Sequence, residues 1–136
     1  MTRFDAATPE ERRRLFDDAV AAHRERASPY LTLEVDEAVL EREGTPDPDL
    51  GVPWVQFADG VVSLDCTDDE LQELKALLAE FPAFTIDELT RPDEAEGTHV
   101  RVSASADRNR ISQFLEAVFR SVFRLPEDGR VWVAEV

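Results

Sequence analysis

A chain of 136 residues with a hydrophobic fraction of 43% is sized for one domain with a real core, and this excludes global disorder. Its 30 acidic residues against 15 basic ones give a formal net charge of −15; the acids run along the whole chain rather than in blocks, which argues against an acidic tail or a nucleic-acid mimic. A single cysteine excludes an intramolecular disulfide, and the opening "MTRFDAATPEERRRLF" has no apolar signal region.

In chain order, "TPEERRRLFDDAVAAHRERA" opens with a capping box: Thr8 as N-cap, Pro9 at the first helical position and Glu11 reaching back. Phe16, Ala19, Val20, His23 and Ala27 then share one face at helical spacing. "YLTLEV" alternates, with Leu31, Leu33 and Val35 on one side and Tyr30, Thr32 and Glu34 on the other. The acidic stretch at about 36–53 carries Pro46, Pro48, Pro53 and two glycines, and reads as a long, flexible surface loop. "WVQFADGVVSLDC" is a hairpin in which Asp59-Gly60 supplies the positive φ angles of a two-residue turn. That register pairs Phe57 with Val62 and Val55 with Leu64 on one face, and Gln56 with Ser63 and Trp54 with Asp65 on the other.

"TDDELQELKALLAEFP" predicts a helix with Leu71, Leu74, Leu78 and Phe81 along one stripe and Pro82 as its stop. "FTIDELT" and "THVRVSA" predict a second hairpin, with Phe84 and Ile86 facing the same way as Val100 and Val102. "SADRNRISQFLEAVFRSVF" is the most apolar helix, through Ile111, Phe114, Leu115, Val118 and Val122; "LPEDG" is a turn and "RVWVAEV" a final strand. The order α-β-ββ-α-ββ-α-β, with strands apolar on one side, predicts an α+β two-layer sandwich: a mostly antiparallel sheet with helices on one face and the other face open.

"SPYLTLEVDE", "VVSLDCTDDELQELKALLAEFPAFTIDEL" and the helix start "ADRNRI" resemble a small uncharacterised protein family of halophilic archaea. The resemblance covers nearly the whole chain and brings no activity, ligand or catalytic residue with it. The element order α-β-ββ-α-ββ-α separately resembles that of secretion-chaperone-like domains, which are dimeric protein binders; the final strand departs from that topology.

The run Asp65-Cys66-Thr67-Asp68-Asp69-Glu70 raises the question of a reactive or metal-binding site. Thr67 with Glu70 is a second capping box, and Asp68 and Asp69 fall in the first helical turn, where the dipole favours anions. Cys66 shares the face of Val62 and Leu64, so a buried, inert thiol is expected, its acidic neighbours raising its pKa. A calcium loop fails, because Glu70 stands where glycine is needed and Ala76 where a closing Glu is needed. His23 and His99 lack ligand-spaced partners, so no metal and no cofactor is expected. GxGxxG, GxxxxGK[ST] and GxSxG are absent. Arg101, Arg108, Arg110, Arg120 and Arg124 cluster in sequence and "ERRR" adds a basic turn; internal pairing with acids is the simpler account.

What remains is the open sheet face, to which Tyr30, Thr32, Glu34, Trp54, Gln56, Ser63, Asp65, Thr85, Asp87, His99, Arg101 and Ser103 should point. Aromatics among polar groups there have the composition of an interface, with a covering loop over residues 36–53 as the structural alternative. The expectation is a non-enzymatic module that binds a protein partner or its own copy through Tyr30, Trp54, Gln56, His99 and Arg101. The alternatives are a small-molecule or enzymatic site around His99, Arg101 and Asp87, and an RNA surface using Trp54 and Tyr30 as stacking platforms. Net charge disfavours nucleic acid. Lys75 is the only lysine, and an acid-rich, lysine-poor surface is suited to molar salt, where screening removes self-repulsion. With no run of roughly 18 apolar residues, the expected setting is a halophilic cytosol, away from membranes.

Overall fold

Alternation of apolar and polar side chains drives the chain into one antiparallel sheet, and helical stripes of Phe, Leu and Val close it from one side. The computed structural model describes residues 5–26, 30–36, 53–91 and 97–135. The elements run β1 (Asp5–Ala6), α1 (Pro9–Arg26), β2 (Leu31–Val35), β3 (Trp54–Ala58), β4 (Val61–Cys66), α2 (Asp68–Leu78), β5 (Phe84–Thr90), β6 (Thr98–Ala104), α3 (Arg108–Ala117) and β7 (Val131–Glu135), with a π-helical turn (Val118–Val122) continuing α3. The seven-stranded sheet has the order β1-β7-β2-β3-β4-β6-β5. Every pairing is antiparallel, as expected for an α+β fold. The acidic loop expected at 36–53 lies outside the described residues except for Asp36 and Pro53.

The β3–β4 hairpin has the register dictated by its turn: Val55 opposite Leu64, Gln56 opposite Ser63, Phe57 opposite Val62. Asp59 at φ 50 and Gly60 at φ 75 supply the left-handed pair that matches the twist of the flanking strands. In the β5–β6 hairpin the pattern breaks. Ile86 opposes Val102, but a register shift follows, and Glu88, not Asp87, comes opposite Arg101. Asp87 is the extra residue of a bulge, so its expected place on the open face beside Thr85 passes to Glu88.

The core joins the inward residues of the central strands (Leu31, Leu33, Val55, Phe57, Val62, Leu64, Val100, Val102) to Phe16 and Val20 of α1, Leu74 of α2, and Ile111, Phe114 and Leu115 of α3. Each such side chain fully buried contributes about 1.5–3 kcal/mol of transfer free energy. Phe114 lies 4.5 Å (centroid to centroid) from Phe84 and 5.3 Å from Phe81, fixing α3 over β5. The α2 stripe is Leu71, Leu74 and Leu77, with Leu78 only partly buried; the helix stops at Leu78 and Phe81 reaches the core from the turn beyond it. The π turn, marked by Phe123 N–H donating to Val118 O at 3.1 Å, widens the last turn so that Val118, Phe119, Val122 and Phe123 are all buried.

One strand had no counterpart in the sequence reading, and one of the "ERRR" arginines, expected to pair with acids, does so in the interior. The short strand β1 pairs with β7, Asp5 opposite Trp132 and Ala6 opposite Val131, and Asp5 forms an ion pair with Arg130. Arg12, from the "ERRR" turn, is fully buried. It donates through Nε and Nη2 to the two carboxylate oxygens of Glu116 at 2.8 and 2.9 Å, and through Nη1 to the carbonyls of Glu127 at 2.9 Å and Gly129 at 2.7 Å. Gly129 has no room for a side chain: a Cβ there would lie 2.5 Å from the Leu125 side chain.

Candidate functional site

The acidic run after β4 is a strand end joined to a helix cap. Thr67 has extended backbone (φ −70, ψ 172). Its hydroxyl oxygen accepts from Glu70 N–H at 3.2 Å, and its own N–H donates to the Glu70 carboxylate at 2.8 Å, satisfying two backbone donors at the start of α2. Cys66 is buried against the core. Burial, and secondarily the Glu70 and Asp65 carboxylates, push its thiol from the ordinary 9.0 up to about 12, the opposite of what a nucleophile needs.

The side of the sheet opposite the described helices is organised in cross-strand rows. One row runs Trp132, Glu34, Trp54 over β7, β2 and β3, because Glu34 is the direct partner of both tryptophans. It continues on β4 and β6 with Asp65 opposite His99. A second row runs Thr32, Gln56, Ser63, Arg101, Glu88 from β2 to β5. Among the described residues no helix lies on this side; the helix side is taken by the alternate residues of the same strands.

Polar contacts hold these side chains in place. His99 Nδ1–H donates to Asp65 at 2.8 Å, and the Trp54 ring lies 6.3 Å from the imidazole, tilted by 32°. Gln56 donates weakly to the Thr32 hydroxyl at 3.4 Å. Arg101 is drawn toward the edge strand, 3.7 Å from Glu88. Tyr30 is 40% exposed just before β2, and Trp132 is 42% exposed, with its indole N–H donating to Asp36 at 3.1 Å.

The structure thus brings Trp54 and His99 into contact and puts Gln56 and Arg101 in the neighbouring row, with Tyr30 just before β2. It does not draw His99, Arg101 and Asp87 into one cluster, because the bulge displaces Asp87 and Glu88 takes Arg101. Trp132 was missed by the sequence reading. Its signal was there: Val131 and Val133 alternate inward, so Trp132 must point outward.

The remaining candidates are structural. His23 is buried, edge-on to Phe57 at 5.5 Å. Arg108 pairs with Asp17 at 3.4 Å; Arg110 lies 4.1 Å over the Phe81 ring and donates to Glu80 O at 3.0 Å; Arg120 donates to Leu125 O at 2.7 Å. Among the described residues no group of three or more His, Cys, Asp or Glu side chains could hold a metal ion, and no helix is long and apolar enough to cross a membrane. A depression of about 260 Å³ between α1 and the start of α3, lined by Glu10, Arg14, Asp17, Asn109 and Gln113 among others, mixes both charge signs and is widely open to solvent.

Comparison with curated proteins and with solved structures gives no match for the chain. A family model matches it from residue 1 to residue 136, and the chain therefore belongs to a family of unknown function (DUF7975).

Proposed function

We propose that the protein is a non-enzymatic binding module whose sheet face opposite the described helices docks a protein surface. The observation that carries this reading is the pair of outward tryptophans, Trp54 and Trp132, flanking one strand on a side where no described helix packs. Indole rings among polar groups are over-represented at interfaces, where they act as anchors. The setting proposed for it is a halophilic archaeal cytosol, supported by 30 acids against 15 bases and a single lysine, Lys75.

The experiment is Trp54→Asp. Trp54 lies opposite the core while Val55 and Phe57 remain buried, so the variant should keep its circular dichroism spectrum. Loss of an interface anchor costs about 2 kcal/mol or more of association free energy, and light scattering in molar KCl, alone and with partners captured from the host, should show weakened association. A variant that associates as strongly as wild type defeats the docking reading, and one that unfolds shows that Trp54 belongs to the core.

A second reading follows from the His99–Asp65 hydrogen bond, which orients an imidazole on the same face in the manner of a base held by a carboxylate. It predicts that His99→Ala abolishes a ligand-dependent thermal shift that Trp54→Asp leaves in place.

A further inference from the structure

The docking reading names a face but not its occupant, and the row Trp132, Glu34, Trp54 narrows it. Directly paired residues of antiparallel strands project from the same face with Cβ atoms about 4.5–5.5 Å apart. Glu34 therefore stands between the two indoles, as the cross-strand partner of each. These are the only 2 tryptophans in the chain. Each is tied away from the centre: the Trp132 N–H is bonded to Asp36, and the Trp54 ring leans toward His99. The exposed Glu34 is thus left open to solvent.

Three other described carboxylates near it are engaged. Asp65 takes His99, Glu88 takes Arg101, and Asp36 takes the indole N–H. Among the described residues Glu34 alone of this group has no hydrogen bond or ion pair. An anion with an aromatic residue as its cross-strand neighbour on either side selects a cation. A guanidinium fits better than an ammonium, because its planar fork can pair with a carboxylate and stack on an indole together. Phosphate is repelled by the same carboxylate. A second copy brings another net charge of −15 to the contact, which opposes association unless salt screens it.

Resting on the docking reading, we propose that the occupant is an arginine side chain in a basic segment of a partner protein, seated on Glu34 between Trp54 and Trp132.

Because both tryptophans lie on this face, intrinsic tryptophan emission reports on it alone. The test titrates the full chain with an arginine-rich peptide, and with peptides carrying lysine or the neutral isostere citrulline in its place. Glu34→Gln is compared with Glu73→Gln, which removes the same charge from an exposed position on α2. The proposal expects saturable change in emission with the arginine peptide, weaker binding of the lysine peptide and none of the citrulline peptide. Glu34→Gln should weaken binding roughly three- to tenfold, with Glu73→Gln close to wild type. Equal losses in the two variants would mean general attraction to an acidic protein and would overturn it, as would an unchanged emission or equal binding of the citrulline peptide. A wild type that dimerises through this face, and is made monomeric by Trp54→Asp, would make a second copy the occupant: the arginine proposal then fails and the docking reading stands. If Trp54→Asp alters no association of any kind, the docking reading itself fails.

Discussion

Replacing Arg12 by methionine should be the most damaging single change away from the apolar core. The side chain is fully buried and donates four hydrogen bonds, two of them to the 10% exposed Glu116 side chain. Methionine keeps most of the length and removes every donor. Glu116 would then be a buried carboxylate without its cation, a situation that typically costs about 3–5 kcal/mol. Against a total stability of about 5–15 kcal/mol, that loss is decisive. With a urea slope of about 2 kcal/mol/M, the unfolding midpoint should fall by roughly 2 M. Adding Glu116→Leu should restore only part of it. The double change removes the stranded charge, but the buried Gly129 carbonyl is left without its donor, at about 1–3 kcal/mol. Urea titrations of the two single variants and the double variant, followed by circular dichroism, complete the cycle. A cost below about 1 kcal/mol for Arg12→Met, or a double variant no better than the single, would refute the reasoning that a stranded carboxylate dominates.

Thr67→Ala should destabilise by about 1 kcal/mol through the lost cap, read as a lowered urea midpoint, and Thr67→Ser should recover most of it. Cys66 should react slowly with thiol reagents in native protein and fast once denatured; rapid native labelling would contradict its burial. The raised Cys66 pKa also sets a sign for pH dependence. Folded protein keeps its thiol proton between 9.0 and about 12 while the unfolded chain loses it, so stability present below pH 9.0 is lost as pH rises through that window, and melts of Cys66→Ala should lose less over the same range. If the acid-rich surface is an adaptation to salt, the thermal midpoint should be clearly higher in molar than in decimolar KCl, where the Debye length grows to about 10 Å; an unchanged midpoint would remove the case for a halophilic setting.

The parts of this fold legible in the sequence are those governed by neighbours along the chain. Asp59-Gly60 sets the β3–β4 turn and hence the register of the four residue pairs across it, and Thr67 with Glu70 marks the start of α2 with both reciprocal bonds made. Where a feature depends on residues far away, the local pattern is silent. β1 is two residues long and exists because β7, far along the chain, offers it an edge, with Asp5 opposite Trp132 and Ala6 opposite Val131. Arg12 sits in a polar run whose expected pairing with acids has no local partner to point to, because Glu116 and the Gly129 turn lie more than a hundred positions away. The bulge at Asp87 left a faint mark, the apolar phase shifting from Phe84 and Ile86 to Leu89, but Leu89 is 46% exposed on the edge strand, so burial does not reinforce the signal. The outward face was legible as alternation. Which of its carboxylates remains unpaired was not, because pairing is settled by rotamers and cross-strand neighbours.

The position of β7 has a consequence for how the chain reaches this structure. It lies between β1 and β2, yet it follows every other described element in chain order. Until it emerges, β2 presents a bare edge and β1 has no strand to join. Over the same interval Arg12 has none of its acceptors, since they lie at positions 116, 127 and 129, so the first helix cannot settle into the core without stranding a guanidinium. Docking of α1 and closure of the sheet therefore wait for β7 to emerge. The nascent chain carries its central hairpins exposed until then, which makes this the interval of greatest vulnerability to edge-to-edge pairing with other chains.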